Sequence, residues 1–163
     1  MGLLMLADLE NFAARGIQLA SHDLPEHVHF WTEKAKLMSA RDVSHDRVMR
    51  TSILDGILDV QEKYDLIVGP TVVDLPVLNQ VDGKTVGPDV VDGVKIDPLI
   101  GWCPTYLTNF SGSPSISVPA GLVDGLPVGL LIVGRKYEDA SVFAAAAAFE
   151  QARPWMQNYS LVE

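Results

Sequence analysis

Apolar side chains recur at helical spacing through the first part of the chain, and they predict two helices there. Gly16 is suited to end the first helix, because glycine readily adopts the positive φ of a C-cap. The second helix follows Pro25, whose fixed φ suits a first helical turn. The stripe of the first helix contains Leu6, Leu9, Phe12 and Ala13. The stripe of the second contains Val28, Trp31, Ala35 and Met38.

A third helix has signals at its beginning and along its length. The segment 39–42 has the form S-x-x-D, in which Ser39 and Asp42 satisfy each other's backbone N–H groups as a capping box. The apolar positions that follow are spaced as one face of a helix. They are Met49, Ile53, Leu54, Ile57 and Leu58. The pattern predicts a helix that runs to about Lys63.

The pattern changes at Tyr64, where continuous apolar runs replace the helical stripes. Nine of the 10 prolines and ten of the 13 glycines lie beyond this point. The runs predict strands near 65–69, 115–120 and 126–134, the last buried on both faces. A short helix is predicted at 104–110 and an Ala-rich one at 138–153. Asp-Gly pairs at 82–83, 92–93 and 124–125 predict tight turns.

These elements predict an α/β fold in which a mixed sheet is flanked by helices. The three strands are expected in one sheet, covered by the helices near 42–63 and 138–153. The strands at 115–120 and 126–134 should be neighbours, since a short turn joins them. No charge run marks a linker, so we expect a single domain over 1–163. It would consist of a helical segment 1–63 and a strand-rich part 64–163 with a C-terminal helix.

Charge and cysteine content narrow the classes of function. The net charge of -9 argues against binding to nucleic acid or to anionic membrane surfaces, both of which need basic patches. We predict no membrane span and no signal peptide. The one cysteine cannot form an internal disulfide, which favours an intracellular, cytoplasmic protein.

The sequence contains residues that could act as a nucleophile or bind a metal, but not the partner residues that these functions need. Cys103 precedes the short helix at 104–110, but the four histidines that could act as its base lie much earlier, so a buried structural cysteine is favoured. His27 and His29 do not share a helix face, so we predict no metal site there. Gly121, Gly125 and Gly129 do not have the spacing of a dinucleotide fingerprint, and we predict no cofactor.

Four alternating serines form a cluster before and within the second predicted strand. They are Ser111, Ser113, Ser115 and Ser117. The cluster does not match the G-x-S-x-G nucleophile elbow. Strand alternation places Ser115 and Ser117 on one face, with Ile116 and Val118 on the other. We therefore interpret the serines as small residues that allow close packing.

Blocks of sequence in the second half resemble the amidase signature family of hydrolases. The blocks are YDLIVGPTVVDLPV (64–77), NFSGSPSISVPAGLVDGLPVGLLIVGR (109–135), Glu138-Asp139 and FEQARPW (149–155). Their order matches the C-terminal third of that family, and the long helix before Tyr64 fits as well. The resemblance implies the C-terminal part of the amidase signature fold and a hydrolase of linear amide C–N bonds that acts through an acyl-enzyme.

The resemblance provides no catalytic residue. The family uses a nucleophilic Ser, a bridging Ser and a Lys base, and its serines come from a Gly-Ser-Ser-Gly-Gly-like segment. This sequence contains no such segment, and its six lysines match no catalytic motif. The resemblance therefore implies a truncated piece, a separately encoded portion or an expression fragment of an amidase.

The resemblance implies that this part supplies the far wall of a substrate pocket. The candidates lie on the loop and short helix before SGSP: Trp102, Cys103, Thr105, Tyr106 and Asn109. Trp102 and Tyr106 combine apolar surface with a polar atom, which suits an aryl or acyl group. For Asn109, a capping role in the turn that leads to Gly112 is the favoured alternative.

Three functions remain open from the sequence. The chain is part of an amidase that is inactive alone, an interaction module that completes or binds a partner carrying the Ser-Ser-Lys half, or an unrelated small α/β binding domain. The order of the blocks disfavours the third. We expect no amide hydrolysis by the chain alone. We also expect a homo-oligomer or association with a catalytic half, unless the N-terminal helices fold back over the apolar face.

Overall fold

The computed structural model describes residues 2–81 and 85–157. Its helices are α1 (Gly2–Ala14), α2 (Glu26–Lys36), α3 (Ala40–Gln61), α4 (Tyr106–Ser111) and α5 (Asp139–Ala152), with a 3₁₀ turn at Ser21–Asp23. Its strands are β1 (Leu66–Pro70), β2 (Val90–Val91), β3 (Val94–Lys95), β4 (Ser115–Val123) and β5 (Leu126–Gly134). Within the described ranges, no helix is both long enough and apolar enough to cross a membrane.

The contacts divide the chain into two compact units. The first consists of residues up to Met49 and a segment that begins at Gln80, and the second consists of Arg50–Asn79 and the residues from Thr85 onward. The division therefore lies inside α3 and not at Tyr64, where the sequence pattern changes. The single-domain organisation stays a prediction.

The first unit contains α1 and α2, as the helical stripes predict. Gly16 has a φ of 79° just beyond α1, which confirms its C-cap role. The helix α2 begins directly after Pro25. Gly2 is buried against α2, where a Cβ would overlap the carbonyl oxygen of Trp31. The absence of a side chain at Gly2 therefore allows α1 to lie close to the backbone of α2.

The capping box at the beginning of α3 is formed. The Ser39 backbone N–H donates to Asp42 Oδ2 at 2.8 Å, the Ser39 hydroxyl donates to the same oxygen at 2.7 Å, and the Asp42 N–H donates to Ser39 Oγ at 3.3 Å. These bonds hold the pKa of the Asp42 carboxyl below its ordinary value, the Ser39 hydroxyl having the largest effect. The apolar stripe of α3 is only partly covered, because Met49 and Leu58 are exposed.

The second unit is built on a three-stranded sheet with the order β1-β5-β4. Every strand pairing among the described residues is antiparallel, so the mixed sheet expected from the sequence is corrected to an antiparallel sheet in the part of the chain that the structure describes. A two-residue turn joins β4 to β5, with φ angles of 52° at Asp124 and 77° at Gly125. The predictions of one sheet for the three strands, and of adjacent β4 and β5, are therefore confirmed. The Asp92-Gly93 turn joins β2 to β3 in the same way, whereas the predicted turn at 82–83 lies outside the described residues.

The core lies between α5 and one face of the sheet. Val118, Ile132 and Ala146 form its buried centre, and Leu66 and Phe149 pack against it. In β4, Ile116 and Val118 point toward this core while Ser115 and Ser117 are exposed, which confirms the predicted alternation. The central strand β5 is buried from Leu131 to Gly134, whereas Leu126 and Pro127 at its beginning are exposed, so the predicted burial on both faces holds only for the second part of the strand.

Two polar side chains join the end of α3 to the sheet. The buried Gln61 amide donates from Nε2 to the Gly134 carbonyl at 2.9 Å. Arg135 donates from Nη2 to the Gln61 carbonyl at 2.9 Å and forms an ion pair with Asp65 at 3.0 Å. A guanidinium at the last carbonyls of a helix satisfies acceptors that have no intrahelical partner. The end of α3, the beginning of β1 and the end of β5 are thereby held together.

Candidate functional site

Trp102 lies against the loop that precedes it. Its carbonyl accepts a hydrogen bond from the Val73 N–H at 3.1 Å. A Cβ at Gly87 would overlap the indole ring, so the close approach of ring and backbone requires glycine at this position. The indole N–H is buried and has no hydrogen-bond partner among residues 2–81 and 85–157. Trp102 therefore joins the loop to the segment that follows β1.

Short-range hydrogen bonds hold the loop that carries Trp102. Oδ1 of Asp97 accepts from the Leu99 N–H at 2.8 Å, and the Asp97 carbonyl accepts from the Gly101 N–H at 2.7 Å. The Gly87 N–H donates to the Pro98 carbonyl at 2.8 Å. An Asp that bonds the backbone two residues ahead stabilises a local turn. The backbone that leads to Trp102 is therefore held by hydrogen bonds within the loop.

The next three candidates lie at the beginning of α4. Cys103, Thr105 and Tyr106 are all half-buried. The Cys103 carbonyl accepts from the Tyr106 N–H at 3.2 Å, and the Thr105 carbonyl accepts from the Thr108 hydroxyl at 2.8 Å. Their backbone groups therefore build the first turn of the helix.

Asn109 is exposed and lines an open concavity of about 460 Å³. The other lining residues are Thr108, Gly112, Ser113, Pro114, Ser115, Tyr137 and Asp139. The turn after α4 is closed by Gly112, which has a φ of 67° and donates its N–H to the Thr108 carbonyl at 2.8 Å. The favoured alternative role for Asn109 is to cap this turn. Gly112 fills that role together with the Ser111 hydroxyl, which accepts from the Ser113 N–H at 3.2 Å.

The five candidates occupy two different places within the second unit. Trp102 packs on the loop at Gly87, whereas Asn109 faces the concavity beside Tyr137. Cys103, Thr105 and Tyr106 lie between them along the chain. Their joint role in one substrate pocket stays a prediction.

A protein-family model described as Amidase matches residues 8–143 of this chain. The chain belongs to the amidase signature family. A solved bacterial aryl acylamidase of this family is 44% identical to the chain, with a TM-score of 0.91 over 98% of this chain and 33% of that one. The predicted fold class and the resemblance are both confirmed by this match.

A curated relative and a second solved structure also match this chain. A glutamyl-tRNA(Gln) amidotransferase subunit of Latilactobacillus sakei subsp. sakei (strain 23K) is 44% identical over 110 residues, which are 68% of this chain and 21% of that protein. A solved 6-aminohexanoate cyclic dimer hydrolase shares the fold, at 24% identity and a TM-score of 0.74, over 94% of this chain and 33% of that one. The chain thus spans about a fifth of the curated relatives and a third of these solved structures.

The hydroxyls of the serine cluster form hydrogen bonds with other serine and threonine side chains. Ser111 donates to Ser113 Oγ at 3.0 Å, and Ser115 donates to Thr108 Oγ1 at 3.3 Å. Ser117 Oγ lies 2.6 Å from Thr71 Oγ1. In each of these contacts a serine hydroxyl has another hydroxyl as its partner, which agrees with the interpretation of the serines as packing residues.

His29 forms a structural contact in the first unit. His29 Nε2 lies 2.7 Å from the Ser21 carbonyl and thereby joins α2 to the 3₁₀ turn. Among residues 2–81 and 85–157, no group of three or more His, Cys, Asp or Glu side chains is placed to hold a metal ion.

Two residues near the candidate site were not predicted from the sequence. Tyr137 lines the concavity with Asn109, has a φ of 70° and lies with its ring 5.3 Å from Lys136 Nζ. A bulky residue with positive φ has no signal in sequence propensity. Thr71 contacts Ser117 across the sheet, and only its place in the Gly-Pro-Thr block of the amidase resemblance draws attention to it.

Proposed function

We propose that this chain is the C-terminal part of an amidase that hydrolyses linear amide C–N bonds, and that it is inactive without the part that carries the Ser-Ser-Lys groups. The match to the aryl acylamidase supports this most directly, because it covers 98% of this chain but 33% of the relative. The sequence contains no Gly-Ser-Ser-Gly-Gly segment that would supply the nucleophile.

The chemistry of a complete amidase indicates which groups this chain would supply and which it would not. A neutral serine hydroxyl attacks an amide only when a base removes its proton, and a neutral lysine acting through a second serine is such a base. Backbone N–H groups beside the nucleophile stabilise the oxyanion, and the C–N bond then breaks as the amine takes up the proton and leaves. Water afterwards hydrolyses the ester bond of the acyl-enzyme and releases the acid. In our proposal all of these groups lie outside this chain, which contributes binding surface.

The binding surface proposed here has an apolar and a polar part. Trp102 and Tyr106 offer aromatic surface, and the Trp102 indole N–H is a buried donor with no acceptor among the described residues. The exposed Asn109 amide both donates and accepts, which suits the C=O and N–H of a substrate amide. We propose that the aromatic residues bind the aryl or acyl group and that Asn109 orients the amide.

An N-acyl arylamine is the substrate class we propose. The relative described as an aryl acylamidase is 44% identical to this chain and shares its fold over 98% of it, with a TM-score of 0.91. The paired presence of Trp102 and Tyr106 in the candidate site agrees with an aryl substrate.

A second candidate is an interaction module that completes a partner with the catalytic half. One curated relative is itself one subunit of an amidotransferase, and exposed apolar side chains such as Val68 and Leu107 leave surface for a partner. In either case we propose a cytoplasmic setting, on the basis of the single cysteine and the acidic charge.

An amide-hydrolysis assay tests the proposal. The chain is incubated with an acetylated arylamine and with glutamine, alone and after co-expression with the part of the aryl acylamidase that it does not match. We expect no turnover alone and turnover of the arylamide by the complex. Asn109→Ala should raise KM in the complex, whereas Asn11→Ala on the exposed surface of α1 should not. Turnover by the chain alone that disappears on Ser113→Ala or Ser115→Ala would contradict the proposal.

A further inference from the structure

A short hydrogen bond joins the side chains of Thr71 and Ser117 beside the central strand of the sheet. Thr71 Oγ1 lies 2.6 Å from Ser117 Oγ. This distance is at the short end of the usual range of about 2.5–3.0 Å for O–H···O hydrogen bonds. Thr71 is the first residue after β1, and Ser117 lies within β4. The bond therefore connects the two outer strands across β5.

Gly129, on β5, makes this contact possible. A Cβ at this position would lie 2.6 Å from Thr71 Oγ1 and 2.9 Å from Ser117 Oγ, so a side chain there would push the two hydroxyls apart. The φ of Gly129 is not positive, so the close approach of the hydroxyls, and not the backbone conformation, requires glycine. The Gly129 carbonyl also accepts from the Thr71 N–H at 2.9 Å. Thr71 is thus held to β5 by its backbone and to β4 by its side chain.

The segment that begins with Thr71 is bonded to Trp102 at its other end. Two residues after Thr71, the Val73 N–H donates to the Trp102 carbonyl at 3.1 Å. The indole ring of Trp102 lies against the backbone of Gly87, where a Cβ would overlap it. Residues 71–73 therefore connect the backbone of Trp102 to the sheet. The sheet end of this connection is the residue whose hydroxyl is bonded to Ser117.

We infer that Thr71 and Ser117 are positioning residues for Trp102, and that through Trp102 they determine the preference for an aryl group in the substrate. The inference rests on the proposed function, in which Trp102 binds the aryl group. Side chains that contact a substrate must be held to within about 0.5 Å by the residues that support them. Neither hydroxyl touches the substrate in this inference. They act by fixing the segment to which Trp102 is bonded.

Fluorescence reports the surroundings of Trp102 without any substrate. With Trp31→Phe and Trp155→Phe, Trp102 is the one tryptophan left of the three in the sequence. In this background, Thr71→Val keeps the shape of the side chain but removes its hydroxyl, whereas Thr71→Ser keeps the hydroxyl. Quenching of the Trp102 emission by acrylamide is measured on the full chain. Circular dichroism checks that each variant is folded at the temperature of the measurement.

We expect Thr71→Val to raise the acrylamide quenching constant of Trp102 by a factor of about two or more, because the segment bonded to it opens more often. Gly129→Ala should have the same effect by separating the two hydroxyls. Thr71→Ser should leave the constant unchanged. Two matched controls should also leave it unchanged. They are Thr32→Val, whose hydroxyl bonds a backbone carbonyl within α2, and Gly56→Ala, whose Cβ would meet no atom within 4 Å.

Kinetics test the substrate preference, using the full chain co-expressed with the part of the aryl acylamidase that it does not match. KM and kcat are compared for an acetylated arylamine and for acetamide, which has no ring. We expect Thr71→Val and Ser117→Ala to raise KM for the arylamide by a factor of about five, as for the loss of one hydrogen bond, with kcat nearly unchanged. KM for acetamide should not change, and Thr71→Ser should retain the KM of the unaltered chain.

Three results would overturn the inference. They are unchanged quenching in Thr71→Val, quenching in Thr71→Ser that rises as much as in Thr71→Val, and an equal rise of KM for both amides. Absence of hydrolysis by the unaltered complex would contradict the proposed function and with it the role of Thr71 in substrate preference. The quenching experiment on the chain alone would still decide whether Thr71 positions Trp102.

Discussion

The helical unit and the sheet unit of this chain differ in the contacts that specify their structure. In the first, helix ends are specified by adjacent residues such as Gly16 and Ser39, and few side chains of α1 and α2 are buried. In the second, β5 is buried by β1, β4 and α5 together, and β1 is distant from it in sequence. Local signals thus suffice to place helices, whereas the core depends on pairing between separate segments.

The difference has a thermodynamic consequence. A helix of ordinary length gains most of its stability in a protein from packing an apolar face, not from its own propensity. The stripe of α3 is exposed at Met49 and Leu58, so that gain is incomplete there. We therefore expect the sheet unit to provide most of the free energy of unfolding.

The largest expected loss of stability is caused by a cavity at the centre of the sheet. Ile132→Ala removes a 2% exposed side chain from the core and should lower the free energy of unfolding by about 2–5 kcal/mol. The matched change Ile17→Ala, at a half-exposed isoleucine after α1, should alter it by less than about 0.5 kcal/mol. Urea denaturation followed by circular dichroism measures both. Equal effects would show that the two units contribute alike to stability.

A smaller effect is expected where α3 meets the sheet. Gln61→Ala removes the buried donor to the Gly134 carbonyl and should cost about 1–3 kcal/mol, because a buried polar group loses its partner. Gln151→Ala, on the exposed surface of α5, should be nearly neutral. The same denaturation experiment compares them. An unchanged midpoint in Gln61→Ala would mean that α3 is held to the sheet by other contacts.

The smallest effect concerns the cap of α3. Ser39→Ala removes the hydroxyl and with it both of its hydrogen bonds to Asp42. The free energy of unfolding should fall by about 1 kcal/mol near neutral pH. The exposed Ser44→Ala, within the helix, should not destabilise. Thermal unfolding at pH 7 compares the two variants, and equal midpoints would contradict a stabilising cap.

The same cap makes stability depend on pH. Because hydrogen bonds from Ser39 lower the pKa of Asp42 in the folded chain, its carboxylate stabilises the fold above the ordinary pKa of 3.8. This contribution is lost as the pH falls below that value toward the folded-state pKa. Stability of the unaltered chain should therefore decline more steeply below about pH 4 than that of Ser39→Ala. Parallel pH dependences of thermal unfolding would argue against the cap as the cause.

The family could be predicted from the sequence, whereas the surroundings of the candidate site residues could not. The block order identified the amidase family, and the match over residues 8–143 bears this out. The same reasoning assigned Trp102 and Asn109 to one substrate pocket, and this stays a prediction, because Trp102 lies against Gly87 and Asn109 lines a concavity beside Tyr137. The two residues are close along the chain, but the turn at Cys103 and the helix α4 direct them to different surroundings. Proximity in sequence does not determine which side chains share a concavity.

The sequence by itself determined the elements of this protein and the ends of most of them. Caps, Asp-Gly turns and apolar runs act over a few residues, so α1, α3 and the β4–β5 hairpin follow from local patterns alone. Tertiary structure alone decided the neighbour of β1, the positive φ of Tyr137 and the role of Arg135 at the end of α3. The pairing of β1 and the contacts of Arg135 join segments far apart in the chain, and such contacts form only when the chain is folded.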